Sequence, residues 1–182
     1  MAYATTYPVA GPLGRCVGTE GGREGVVQDI GTAASEFLSK QRIAVTGVSR
    51  ASKEHGANFV YKRLRERGYQ VFAVNPNATS VEGDTAYPDL QTIPGGVDAV
   101  VIGTRPEIGE RTMHECAELG IRHVWMHHGT GAGSVSAVAT IYGREHGITV
   151  IDGGCPLWFA PVSDMGHRVM RRVYGRNLPK QV

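Results

Sequence analysis

Cysteine is scarce in this 182-residue chain, and what there is lies scattered. Cys16, Cys116 and Cys155 form no CxxC pair, and an odd number at long spacings excludes a disulfide scaffold or a zinc ribbon. No apolar run is long enough to span a membrane. Even the stretch from His123 to Gly143, free of Lys, Arg, Asp and Glu, is broken by His127-His128 and by Gly129, Gly131 and Gly133. The N-terminus lacks the basic start and apolar stretch of a signal peptide, which predicts a cytoplasmic protein. Glycine is plentiful, 25 residues, but has no Gly-X-Y period, so a collagen-like chain is excluded. An excess of one charge sign is also missing, with 19 basic residues against 17 acidic ones. Five of the basic residues, Arg168, Arg171, Arg172, Arg176 and Lys180, fall after Met165, leaving a net −3 on the rest of the chain. A nucleic-acid binder needs an extended basic face, so nucleic acid is not an expected partner.

Residues 1–27 carry many glycines and few large apolar groups, too few to offset their ordering entropy, and read as a flexible tail. Ile30, Ala33, Ala34, Phe37 and Leu38 then fall on one stripe of a helix spanning roughly residues 28 to 40. From Arg42 the pattern alternates. Strands are expected at Ile43–Val48, Tyr69–Val74, Val97–Thr104, His123–His127 and Ile148–Ile151, with helices at about 56–67, 107–119 and 134–146 between them. Three of these helices run into Gly68, Gly120 and Gly147 and then at once into an apolar strand, the signature of repeated βαβ units. Unbroken apolar runs such as Ala99-Val100-Val101-Ile102 suit a parallel sheet covered on both faces. The fold class is α/β: a doubly wound, Rossmann-like parallel sheet in a single domain over 28–160. A basic, amphipathic C-terminal helix and tail occupy 161–182, with Met165, Val169 and Val173 on one stripe and the arginines on the solvated face.

A doubly wound sheet binds its ligand at the carboxyl ends of the strands. The first strand enters Thr46-Gly47-Val48-Ser49-Arg50-Ala51-Ser52-Lys53, ahead of a helix. Glycine lets the chain turn and approach a ligand, the following amides suit an anion, and Ser49, Ser52, Arg50 and Lys53 add donors and charge. A side chain at 47 is expected to fill space the ligand needs. Two nucleotide motifs are missing here. There is no G-x-G-x-x-G with an acid at the end of the second strand, where Val74-Asn75-Pro76 stands instead, and no G-x-x-x-x-G-K-[ST].

Four pieces, in order, carry a resemblance: Ile43-Ala44-Val45-Thr46-Gly47-Val48-Ser49, then Gly68-Tyr69-Gln70-Val71 running to Asn75-Pro76, then Tyr87-Pro88-Asp89-Leu90, and Asp152-Gly153-Gly154-Cys155-Pro156. The chain resembles the CoA-binding domain proteins, similar to the N-terminal domain of the succinyl-CoA synthetase alpha subunit. The resemblance implies that CoA or an acyl-CoA is the ligand. It places the phosphates on Gly47, Ser49, Arg50, Ala51 and Ser52, with further contacts from Asn75, Pro76, Thr104, Arg105 and Pro106. Charge reasoning agrees, because Arg50, Lys53 and Arg105 share one sheet edge and charge-assisted bonds to phosphate are strong. Arg105 has an alternative, pairing with Glu107. The departures from the family lie in the flexible N-terminal extension and in His127-His128-Gly129, at a strand end expected to be less basic.

Other chemistries are legible but weaker. Gly47-Val48-Ser49-Arg50-Ala51 has the outline of a nucleophile elbow, with Asp152 and His167 following in hydrolase order, although its last position is Ala. His127, His128, Cys155 and His167 offer metal-ligand types without a spacing on one element, since adjacent strand residues point to opposite faces. Cys155 is either a small buried hydrophobe or a thiol facing the ligand's own. The resulting expectation is a CoA-binding domain without catalysis of its own, holding no metal, with a protein partner or homo-oligomer as the other partner. The alternatives are an NAD(P)-dependent oxidoreductase with Arg50 at a 2′-phosphate, or a regulatory subunit with a vestigial nucleotide site.

Overall fold

Strands that are apolar on both sides leave a sheet no face to give to water, and here helices cover both. The computed structural model describes residues 28–51, 56–129, 133–175, 178 and 182. Helix α1 (Ile30–Leu38) leads into β1 (Arg42–Thr46), α2 (Gly56–Glu66), β2 (Gln70–Val74) and a hairpin of β3 (Ser80–Val81) and β4 (Asp84–Tyr87). Then follow β5 (Ala99–Ile102), α3 (Pro106–Glu118), β6 (His123–Met126), α4 (Ala137–Glu145), β7 (Thr149–Asp152), a 3-10 turn (Pro156–Trp158) and α5 (Met165–Tyr174). The sheet has the order β3-β4-β2-β1-β5-β6-β7, parallel throughout except for β3. The doubly wound α/β fold expected from the strand pattern is the fold observed.

Alternation along the strands sorts the core into two layers. Ile43, Val45, Val101, Trp125 and Ile151 meet α1, α2 and the 3-10 turn; Ala44, Val100, Val124 and Val150 meet Met113 and Cys116 of α3 and Ala139 of α4. The α1 stripe is buried as its spacing requires. Its Phe37 ring stands edge-on to Trp125 at 5.4 Å, Phe159 packs the other side of that indole at 5.4 Å, and the indole Nε1 donates to the Gly153 carbonyl at 2.9 Å. Asp29 caps α1 by accepting from the Gly31 and Thr32 amides. Gly68, Gly120 and Gly147 take the left-handed backbone that turns each helix into the next strand.

Three expectations need correction. The strands are shorter at their carboxyl ends than their apolar runs: β1 stops at Thr46 and β5 at Ile102, because Gly47 and Gly103 carry the chain out of the sheet. The β3–β4 hairpin was not expected, since a strand of two residues leaves no period to read. The third concerns α5. Met165, Val169 and Val173 point to solvent at 83%, 59% and 60% exposure, while Met170 packs on the domain and the Arg171 guanidinium lies 4.2 Å over the Phe159 ring. The helix is anchored by its polar side: Asp164 caps it through the His167 amide at 2.9 Å and pairs with Arg63 at 3.0 Å. Those contacts, led by the His167 N–H, lower the Asp164 carboxyl to about 2. The tail expected at 1–27, with Arg176 and Lys180, lies outside the described residues.

The two helices therefore respond differently to substitution. Phe37→Ala should lower unfolding free energy by about 3–5 kcal/mol, whereas Val169→Asp should change it by less than about 0.5 kcal/mol. Urea unfolding measures both, and a Val169→Asp loss comparable to that of Phe37→Ala would contradict the outward placement of the α5 stripe.

Candidate functional site

Strand order reverses between β1 and β5. The chain runs from β1 to β2 on one side and from β5 to β6 and β7 on the other, so the loops leaving β1 and β5 diverge and open a crevice between them. Backbone forms its floor. Gly47 has φ +77°, and a Cβ on it would lie 2.7 Å from the Gly103 carbonyl oxygen; one on Gly103 would lie 2.6 Å from Ala57 Cβ in the first turn of α2. Gly103 N–H also donates to Thr46 Oγ1 at 3.2 Å. This corrects the reason given for Gly47. Its missing side chain makes room for the neighbouring turn, so a substitution there strains the fold before it reaches any ligand.

Above this floor the β1–α2 turn is held by side-chain amides. Asn58, fully buried on α2, accepts from the Ser49 amide at 2.8 Å and donates to the Ser49 carbonyl at 2.7 Å, as a paired strand would. Its second N–H donates to Glu82 Oε1 at 2.7 Å. Asn75 donates to the Val48 carbonyl at 2.8 Å and accepts from Asn77 N–H at 2.8 Å. The Ala51 amide donates to Ser49 Oγ at 3.1 Å. Val48 is thereby drawn into the core, while Arg50 and Ala51 stay exposed at the rim. Ser52 and Lys53 lie outside the described residues.

The opposite wall is the start of α3. Thr104 has a buried hydroxyl without a hydrogen-bond partner among the described residues. Arg105 is exposed at the N-cap, offers no side-chain cap and makes no ion pair with Glu107, and Pro106 opens the helix. The structure thus brings Gly47, Ser49, Arg50, Ala51, Asn75, Pro76, Thr104, Arg105 and Pro106 to one edge. Within that set Asn75 has both ends of its amide committed to the loop. Asn58 and Glu82 escaped sequence reading: the first hides in the α2 stripe as a polar residue at an inward position, the second sits in a turn without the usual Asn-Gly or Asp-Gly.

The rival constellations are not assembled. His167 Nδ1 is bonded to Asp164 at 2.8 Å, and Asp152 pairs with Arg144 at 3.5 Å, so neither serves Ser49. Among the described residues no three His, Cys, Asp or Glu side chains are grouped to hold a metal. Cys155 is buried, and burial pushes its thiol up to about 12. The adjacent histidines diverge as strand neighbours do. His128 is exposed and packs on Gly133, while His127 is buried against Gly56 at the start of α2.

Burial first, and the neighbouring His128 second, lower the His127 imidazole to about 4 from an ordinary 6.5. The unfolded chain takes a proton near pH 6.5 that the folded one refuses until about pH 4. The stability gained by keeping the ring neutral is therefore whole above about pH 7 and drains as pH falls through that window. The unfolding free-energy advantage of the parent over His127→Asn should shrink by roughly 3 kcal/mol between pH 7 and pH 4. A difference independent of pH would place the ring in water.

Comparison with known proteins follows the same lines. Residues 41–161 match the CoA binding domain family. The chain is 36% identical over 89 residues to the acetate–CoA ligase [ADP-forming] II subunit alpha of Pyrococcus furiosus, covering 48% of this chain and 19% of that one. It is 35% identical over 89 residues to acetate–CoA ligase [ADP-forming] II of Archaeoglobus fulgidus, covering 48% and 13%. The chain thus spans under a fifth of the length of either ligase. A hypothetical protein from Pyrococcus horikoshii superposes with a TM-score of 0.63 at 27% identity, covering 69% of this chain and 86% of its own. No helix among the described residues is long and apolar enough to cross a membrane. With a match that runs from the start of β1 past the 3-10 turn and so takes in both walls of the crevice, the chain belongs to the CoA binding domain family.

Proposed function

We propose that the domain binds CoA or an acyl-CoA across the carboxyl edge of the sheet and performs no catalysis of its own. In this reading the phosphates rest on the turn from Gly47 through Ser49, Arg50, Ala51, Ser52 and Lys53. Asn75 and Pro76 shape one side, and Thr104, Arg105 and Pro106 receive the ligand on the other. The observation that carries the reading is the crevice at the β1/β5 reversal, rimmed by Arg50 and Arg105 within the family's own span. Guanidinium groups at a rim suit a ligand with several phosphates, since charge-assisted bonds are the stronger polar contacts available. The β2 end favours CoA over a dinucleotide: Asn75 stands where a ribose-binding acid would, and its amide is occupied by the loop. Chemistry on the thioester falls to a different domain or chain, in keeping with relatives that carry this domain within a much longer ligase.

Titration calorimetry tests this. CoA should bind with an affinity that falls as salt rises. Arg50→Ala should weaken CoA by about tenfold or more, the loss of a charged hydrogen bond, and dephospho-CoA by much less. NADPH binding more tightly than CoA, or no binding of CoA at low salt, would overturn the assignment.

A further inference from the structure

A two-residue hairpin turn of type I′ needs left-handed backbone at both central positions, and Asn-Gly or Asp-Gly supplies it at least cost. The β3–β4 hairpin does not use them. Val81 pairs with Asp84, and the turn between is Glu82, at φ +49°, followed by Gly83 at φ +85°. Glu82 is the one non-glycine residue among those described with positive φ. A glutamate in that conformation is strained, and such strain persists where the surroundings impose it.

The side chain supplies the compensation. Glu82 carboxylate is only 13% exposed although it springs from a turn, accepts from Asn58 Nδ2 at 2.7 Å and lies 3.5 Å from Lys62 Nζ. Asn58 in turn holds both the N–H and the carbonyl of Ser49. With its carbonyl oxygen on Ser49 N–H, one amide hydrogen on Ser49 O and the other on Glu82, the buried carboxamide is locked against the flip that would exchange donor and acceptor. The hairpin itself is fastened to α2 by a separate set of contacts: Tyr61 Oη donates to Asp84 at 2.7 Å, and Arg65 pairs with Asp84. Losing the Glu82 contact therefore leaves the hairpin in place.

We propose that Glu82 is a positioning residue for the ligand site: through Asn58 it sets the direction of the main chain at Ser49, and with it the affinity of the turn for ligand phosphates. The carboxylate touches no ligand and would repel one if it did; its action is indirect. The proposal rests on the reading that CoA phosphates lie on this turn, and it predicts that affinity follows side-chain reach and not turn preference.

Two substitutions separate these. Glu82→Gln keeps the length and an acceptor oxygen for Asn58; Glu82→Asn suits the turn better and falls short of Asn58. A residue serving only the hairpin gives Asn the advantage over Gln in every readout. Three measurements on the full chain are thermal unfolding, exchange of the Ser49 amide hydrogen, and calorimetric binding of CoA. Glu82→Asn should unfold within a few degrees of the parent, yet exchange Ser49 N–H at least tenfold faster and bind CoA at least fivefold more weakly. Glu82→Gln should match the parent in exchange and affinity. Unchanged Ser49 exchange in Glu82→Asn, or Gln weaker than Asn in binding, would overturn the proposal. If the parent itself does not bind CoA, the ligand assignment fails and so does the affinity claim, while Ser49 exchange still decides whether Glu82 holds the turn.

Discussion

The close approach of two backbone turns governs this molecule. Gly47 and Gly103 bring the ends of β1 and β5 so near that neither tolerates a Cβ, and Ala57 of α2 closes the same gap from above. Three small residues thereby fix where β1 ends, where β5 ends and where α2 begins. The crevice exists because the sheet reverses its winding here, but its shape comes from this contact. Main-chain groups that leave a sheet still need hydrogen-bond partners when buried. Asn58 and Asn75 provide them for Val48 and Ser49, in place of a neighbouring strand. A turn satisfied in this way from within keeps Arg50 and Ala51 at the surface, where a ligand can reach them.

Two exposed arginines stand at the rim of that floor. The cations at the rim, Arg50 and Arg105, make no ion pair among the described residues, whereas Arg63, Arg65 and Arg144 are engaged with Asp164, Asp84 and Asp152. His127, kept neutral by burial beneath the rim, adds no charge to the site at neutral pH. The outward apolar stripe of α5 belongs to a different part of the surface, held off the domain because Met170, Arg171 and the Asp164 cap decide the rotation of the helix.

The parallel core of β2, β1, β5, β6 and β7 could be read from sequence because each of these strands is an apolar run long enough to show its kind, and because Gly68, Gly120 and Gly147 punctuate three helices in the same way. The carboxyl edge was legible for the same reason: once β1 is placed, Gly47 to Ala51 must lie beyond its end. Three things were not legible. Ser80–Val81 is too short to have a period, and its turn uses Glu82 where the pattern of turns asks for Asn or Asp. Asn58 occupies an inward position of α2, and nothing local distinguishes a buried amide that holds a loop from an exposed one. The facing of α5 differs from expectation because amphipathicity gives the stripe but not its direction; a cation over an aromatic ring and a capping carboxylate outweigh three apolar side chains. In each case the deciding contact is long-range or runs from side chain to backbone, and so lies outside the reach of periodicity.

The central claim is that the ligand lies on the turn whose main chain is held at Val48 and Ser49. Backbone amide chemical shifts recorded while CoA is added test it most directly. The account predicts that the largest changes fall on Gly47 to Ala51 and on Thr104, Arg105 and Glu107, at the two walls of the crevice. Changes concentrated at the opposite edge of the sheet, around Gly68, Gly120 and Gly147, would contradict it.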